Sequence, residues 1–288
     1  MKTLRRRIRD AGKAGGVDQL VVERDYLQSY ILRGLGDTEE LRETLVFKGG
    51  SALKKVHFGE YRFSEDLDFS MIEGPKEADL ESAVRSAISR AEQVLQEIAP
   101  IALSVDRYEE RDPHPGGQEA FTVRAQFPWQ RQPLVPVKLE VTHDEPVLLP
   151  APHHPVQHGY GESLEALIRT YSLEEIGAEK LRATQQTLAK LETRGWTRSR
   201  ARDYYDLWHL VREPEGRINW EQVSSVLAEK CRLREVAITS AEDIFEARLL
   251  DEVRLSWDRT LGPFVPELPE VETVIYELHD RLAELLCL

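Results

Sequence analysis

The chain has 288 residues, a formal net charge of −13, 41% hydrophobic and 31% charged residues. This composition excludes wholesale disorder, and no stretch approaches the roughly 18 uninterrupted apolar residues of a membrane-spanning helix. Two cysteines, Cys231 and Cys287, exclude a disulfide framework and a four-cysteine zinc site; the basic start lacks the apolar core and cleavage site of a signal peptide. A soluble, cytoplasmic protein of one large or two small domains is the expectation.

Along residues 17–45, Leu20, Val21, Leu27, Ile31, Leu32 and Leu35 suggest helices broken near Gly34. Residues 45–47 form a strand candidate that runs into Lys48-Gly-Gly-Ser. A short helix over 52–57 follows, capped by Ser51, and then a strand over 67–72. An amphipathic helix is expected over 78–98, stopped by Pro100. Strands are expected over 101–108 and 120–127, on either side of a turn at 112–117. A third, over 135–142, places Val137, Leu139 and Val141 on one face and Lys138 and Glu140 on the other. The segment 146–161, with Pro146, Pro150, Pro152 and Pro155, reads as an interdomain connection. Helical patterns follow at 164–169, 172–194, 199–212, 220–231, 241–257 and 270–286. The expected fold class is α/β (α+β): an N-terminal domain over 1–160 with a mixed sheet, then an all-helical domain over 161–288.

An acidic total argues against nucleic acid, whose phosphates attract Lys and Arg. The charge is unevenly spread, however. Residues 180–202 carry two Lys and five Arg against one Glu, +6 locally and −19 over the remainder. Such a stretch faces either a polyanion, through Arg194, Arg198 and Arg200, or plain solvent.

The chemistry concentrates between Phe47 and Ser70. A Gly49-Gly50-Ser51 turn opens a helix, and Asp66 and Asp68 follow on a strand. Residues two apart on a strand point the same way, so both carboxylates enter one site. Hard divalent cations take oxygen ligands from one or two carboxylates plus substrate phosphates. The glycines let backbone amides approach a phosphate, and the Ser51 hydroxyl adds a donor. The spacing does not fit a P-loop, which needs Gly-x4-Gly-Lys-Ser/Thr. Three histidines, His153, His154 and His158, lie in the Pro-rich segment without cysteine partners or zinc-protease spacing. Trp196, Trp208 and Trp220 read as packing residues, with Trp196 also placed to stack on a base.

Gly-Gly-Ser, a helix, then Asp-x-Asp on a strand resembles the polymerase-β-like nucleotidyltransferase superfamily. Lys48-Gly-Gly-Ser-Ala-Leu with Arg62-Phe-Ser-Glu-Asp-Leu-Asp-Phe resembles its AbiEii/AbiGii toxins, which include the MenT toxins. The blocks around Glu174 to Lys180-Leu-Arg-Ala and Arg202-Asp203-Tyr-Tyr-Asp206-Leu continue that resemblance. It implies a nucleotidyltransferase toxin of a toxin–antitoxin system using Mg2+ or Mn2+ and an NTP. The implied acceptor is RNA, most plausibly the tRNA 3′ end, so that translation is blocked. Its implied controls are a cognate AbiEi-type antitoxin or a regulatory kinase. A protein side chain as acceptor, or a non-catalytic nucleotide-binding regulator, are the rival readings.

By residue, the resemblance implies that Asp66 and Asp68 hold the metal. Lys48, Gly49, Gly50 and Ser51 would bind phosphates, and Lys180 would meet the triphosphate. Asp203, with Asp206 second, would position Lys180 and the nucleotide, unless the pair is simply bridged to Arg200 or Arg202. Glu140 is the candidate third carboxylate, with Asp144 and Glu145 as fallbacks. Ser64, two before Asp66, is a candidate phosphorylation site: a phosphate there repels both metal carboxylates and triphosphate.

Overall fold

A computed structural model describes residues 2–109, 117–195 and 198–286, apart from the side chains at 192 and 194. The expected turn at 112–117 thus falls largely outside the described residues, as do Trp196 and Cys287, and the side chain of Arg194 is not described. The chain forms two compact units, Met1–Tyr171 and Ser172–Leu288.

The first unit opens with α1 (Leu4–Ala14), α2 (Gln19–Gly36) and the one-turn α3 (Glu39–Arg42). Strand β1 (Leu45–Lys48) leads into α4 (Gly49–Ala52), which continues as a π-helical turn over Leu53–Phe58. Then follow β2 (Asp66–Met71), α5 (Glu77–Gln96), β3 (Ala102–Tyr108), β4 (Gln118–Gln126) and β5 (Val135–Thr142). A small ribbon of β6 (His153–Pro155) and β7 (Leu167–Arg169) completes the unit.

The main sheet has the order β1-β2-β5-β4-β3, with β2 and β5 parallel and the other pairs antiparallel. Period-2 alternation divides its faces. Phe47, Leu67, Phe69, Phe121, Leu139 and Val141 are all fully buried on one side. Burial at roughly 25 cal/mol per Å² of apolar surface makes this layer a stabilising part of the unit's core. The opposite face carries the charged residues of the next section.

Helix α2 is buried over most of its length, which explains why its apolar residues show no single stripe. Its buried polar groups are paired. Asp25 and Lys55 form an ion pair at 2.7 Å, and Lys55 Nζ also donates to Ser29 Oγ at 2.9 Å. Tyr160 donates to Asp25 Oδ2 at 2.6 Å. Burial pushes the Asp25 carboxyl up, but the Lys55 and Lys54 ammonium groups more than offset this and hold it below the usual carboxylate range.

Two sequence expectations change here. Residues 164–169 contain strand β7 rather than a helix, because 167–169 pair antiparallel with 153–155. Residues 161–171 consequently group with the first unit: Thr170 bridges to Phe47, and Tyr171 N–H donates to Phe47 O at 3.0 Å. The helix α1 is an addition that the apolar pattern did not announce.

The second unit contains α6 (Leu173–Arg194), α7 (Ala201–Val211), α8 (Trp220–Leu233), α9 (Ala247–Leu261) and α10 (Val271–Leu285). Helix α6 starts at Ser172, whose side chain accepts from Glu175 N–H, and ends at the left-handed Gly195. The expected helix over 241–257 is divided: a 3-10 turn spans Ala241–Phe245, and α9 restarts behind Glu246, whose carboxylate caps it. Trp208 is buried, with Nε1 donating to Glu277 at 2.7 Å.

Candidate active site

In the first unit, strand register gathers the charged residues. Lys48 on β1 lies opposite Asp68 on β2, and Asp68 lies opposite Glu140 on β5. One step along, Asp66 faces Lys138. Residues paired across neighbouring strands point to the same side, so Lys48, Asp68 and Glu140 form a row across the sheet, with Asp66 and Lys138 beside it. Asp66, Asp68 and Glu140 are half-buried, and Lys48 is buried with its ammonium 5.8 Å from the Tyr171 ring centroid.

The Gly-Gly-Ser turn closes over one end of this row. Gly49 has φ +74°, and a Cβ there would come within 2.6 Å of Asp68 Oδ2. Glycine is therefore required twice, for its backbone angle and for the approach of the turn to the carboxylate. A Cβ at Gly50 would meet Arg62 Nη2 at 2.5 Å, so the Arg62 guanidinium lies against the turn. Ser51 is buried and its hydroxyl donates to the Asp66 carbonyl. That bond ties turn to strand, and it occupies the proton that the sequence reading assigned to phosphate.

Helix α2 fixes the approach to β2. Gln28 Nε2 donates to the carbonyls of Ser64 and Glu65, both at 3.0 Å. Arg24 pairs with Glu65 at 2.9 Å. Ser64 is half-buried at the mouth of β2. Behind the row, Ser70 Oγ and Tyr171 OH share a 2.7 Å hydrogen bond.

The donor set suits a hard divalent cation at Asp66 and Asp68, both oxygen donors on one face beside a turn without Cβ atoms. Among the described residues, no group of three or more His, Cys, Asp or Glu side chains is arranged to hold a metal ion. Glu140 stands in the expected row, but its carboxylate is ion-paired with Lys138, two residues along the same strand. Asp144 and Glu145 lie beyond the end of β5. The three histidines are dispersed. His153 Nε2 is 3.3 Å from Arg42 O, the His154 ring lies 6.1 Å from that of His57, and His158 is buried among Tyr26, Tyr30 and Tyr160.

In the second unit, Lys180 on α6 meets two carboxylates of α7. Its Nζ is 2.7 Å from Asp203 Oδ1 and 2.7 Å from Asp206 Oδ2. Asp206 is fully buried, and Asp203 also pairs with Arg200 at 3.1 Å. Burial raises the Asp203 carboxyl, but Lys180 and then Arg200 outweigh it and hold its pKa below the ordinary value. The pair grips Lys180, and Asp203 also bridges to Arg200. The +6 stretch is partly consumed internally. Lys180 and Arg182 are buried, and Arg200 Nε also donates to Thr187 Oγ1 at 2.6 Å, while Arg198 is exposed.

Sequence reasoning missed Gln28, Lys138 and Arg62 as parts of the site. Lys138 was visible as the residue two before Glu140, and Arg62 by its place in the quoted motif; Gln28 carried no local signal.

A mixed sheet bearing paired aspartates under a Gly-Gly-Ser helix is the layout of a nucleotidyltransferase. The chain belongs to the AbiEii family of nucleotidyl transferase toxins of type IV toxin–antitoxin systems, whose family model matches residues 30–283. Its fold is similar to that of MenT4, a nucleotidyltransferase toxin of Mycobacterium tuberculosis, with a TM-score of 0.64 and 20% sequence identity over 93% of this chain and 84% of that one. No curated protein sequence matches the chain significantly.

Proposed function

We propose that this AbiEii-family enzyme transfers nucleotides from an NTP to the 3′ end of an RNA acceptor, tRNA, and so stops translation. The observation that carries the reading is the row Lys48, Asp68 and Glu140 with Asp66 beside it, under the Gly49-Gly50 turn. Asp66 and Asp68 would hold Mg2+ or Mn2+. A divalent ion held there would supply positive charge to offset that of the phosphates. The turn amides and Lys48 receive the β and γ phosphates; Ser51 joins them if its hydroxyl turns from the Asp66 carbonyl.

The RNA 3′ hydroxyl gives its proton to Glu140 or Asp68 and bonds to the α phosphorus. The bond from that phosphorus to the β-phosphate oxygen breaks, and pyrophosphate leaves. Lys138 pairs with Glu140 and holds its carboxylate in place beside the row. Lys180, aimed by Asp203 and Asp206, supplies a point charge to the triphosphate, and Arg194, Arg198 and Arg200 meet RNA phosphates. Phosphorylation at Ser64 silences the site, by a regulatory kinase or alongside a cognate AbiEi-type antitoxin. The protein acts in the cytoplasm; no described helix is long and apolar enough to cross a membrane.

The deciding experiment offers labelled NTPs with Mg2+ to purified protein, total RNA and total protein. Label in RNA supports this reading. Label in protein alone identifies a protein-nucleotidylating enzyme, and label in neither identifies a nucleotide-binding regulator.

A further inference from the structure

We propose that the outward face of α1 and the neighbouring Trp129 cleft bind a single-stranded stretch of RNA leading into the active site. This rests on the RNA-acceptor reading above. Residues 2–13 carry six basic residues against Asp10 alone, +5 on a chain of −13. Leu4, Ile8 and Gly12 of α1 turn inward. Arg5, Arg9 and Lys13 follow one position later at the same four-residue interval, an exposed stripe with about 6 Å between charges along the axis.

The local acid does not neutralise the stripe. Asp10 is taken by Lys2 at 2.7 Å and Arg6 at 3.9 Å, while Arg5, Arg9 and Lys13 form no ion pair among the described residues. The helix itself is fastened down. Arg7 reaches inward, pairs with Glu162 and donates to Tyr160 O at 2.6 Å. The stripe is therefore a fixed surface of the first unit.

Each end of the stripe meets something that suits a strand of RNA. At the N-terminal end the Arg5 guanidinium stands 6.0 Å over the Trp129 ring centroid. The half-exposed indole is held by Nε1 donating to Glu23 Oε1 at 2.7 Å, and the Phe127 ring lies behind it at 4.9 Å and 31°. Around it opens a cleft of about 570 Å³, lined also by Leu20, Leu134, Gln19, Gln132 and Arg131. A fixed π-face flanked by aliphatic and amide side chains is a stacking site for an unpaired base. Just past the C-terminal end, Phe63 lies against Gly15, and Phe63 belongs to the segment that runs through Ser64 into Asp66.

Charge and ring together select the occupant. A duplex engages phosphates but offers no free base face, and an acidic polypeptide needs the stripe but not the ring. An unpaired RNA strand uses both.

The test titrates wild type, Arg5→Gln/Arg9→Gln/Lys13→Gln, Trp129→Ala and Trp129→Phe against a fluorescent RNA hairpin with four unpaired 3′ nucleotides. Anisotropy is read between 50 and 200 mM salt, roughly the span over which counterion release is resolved. The triple variant should lower the log-log salt slope by about 2, from ~0.7 per single-strand phosphate contact. Trp129→Ala should raise Kd about tenfold with the slope unchanged, and Trp129→Phe should restore most of it. Wild-type thermal unfolding and NTP binding show that the variants are folded.

An unchanged slope in the triple variant, or equal affinity of wild type for a blunt hairpin, overturns the surface. If the wild type labels RNA while these variants bind it normally, this surface alone fails. If the wild type neither binds nor labels RNA, the underlying acceptor reading fails with it.

Discussion

Replacing Lys180 by Met tests the cluster at the heart of the second unit. The substitution keeps most of the volume and removes the ammonium that lies 2.7 Å from both Asp203 and Asp206. Asp203 retains Arg200, but Asp206, fully buried, loses a cation in direct contact. Breaking a buried ion pair from one side costs about 3–5 kcal/mol. With a urea m-value of about 2 kcal/mol/M, that cost moves the unfolding midpoint down by roughly 2 M. Burying a protonated carboxyl costs less than burying an ionised one, so the deficit should narrow as pH falls from ~7.5 to ~5. In the wild type Asp203 is held ionised below its ordinary pKa, so its contribution persists through that window and is lost only below ~4. Adding Asp206→Leu removes the partner charge and should recover most of the lost stability. The double variant then separates scaffold from chemistry: folded but unable to use NTP, it assigns the Lys180–Asp206 pair to nucleotide use. An unchanged midpoint for Lys180→Met at pH 7 would refute the argument that this cluster carries stability.

Asp66→Asn and Asp68→Asn should each cut nucleotide transfer by about 100-fold or more while leaving the unfolding free energy within about 0.5 kcal/mol of wild type; activity near normal in the double variant removes the metal role. Ser64→Glu should suppress transfer strongly and Ser64→Ala mildly, because only the former sets a fixed charge beside the carboxylates; equal activity in all three forms excludes electrostatic control there. The His158 side chain is covered, and its pKa is depressed first by burial and then by the charge of Lys55. Its neutral form is the folded one, so stability should fall as pH drops below ~6.5, at up to about 1.4 kcal/mol per pH unit. His158→Phe should flatten the unfolding profile in that window, and an unaltered profile shows that another group sets it.

What was legible in the sequence was local. The alternation of Val137, Leu139 and Val141 against Lys138 and Glu140 reports a strand with two faces without any partner strand. Gly49-Gly50-Ser51 likewise announces a turn at which side chains are unwelcome. The row Lys48, Asp68 and Glu140 depends on β1, β2 and β5 being neighbours, and nothing local encodes that order. The segment at 164–169 misleads for the same reason: Leu164, Leu167 and Ile168 have helical spacing, and only the distant ribbon partner at 153–155 makes it extended. Helix α1 escaped because two apolar residues among many charges give a weak stripe, although Leu4 and Ile8 suffice to seat it. Ser51 shows a further limit, since a hydroxyl that suits a phosphate equally suits the Asp66 carbonyl.

The π-helical turn after the Gly-Gly-Ser motif makes this stretch sensitive to counting rather than to chemistry. Its adjacent lysines serve opposite sides: Lys55 reaches inward to Asp25, while Lys54 donates to the carbonyls of Gly59 and Tyr61 and lies 4.2 Å from the Phe63 ring centroid. A wide turn of this kind holds one residue more than an α-helical path needs. Deleting Val56 would remove that surplus and let the helix close to ordinary pitch with the chain beyond it still in phase, whereas an inserted residue has no slack to fill and would rotate all that follows by about 100°. After such an insertion Lys54 would miss the loop it secures, and β2 would be entered out of phase. Substitutions at Val56 should be mild by comparison, so insertions, not exchanges of side chains, mark the boundary of what this motif tolerates.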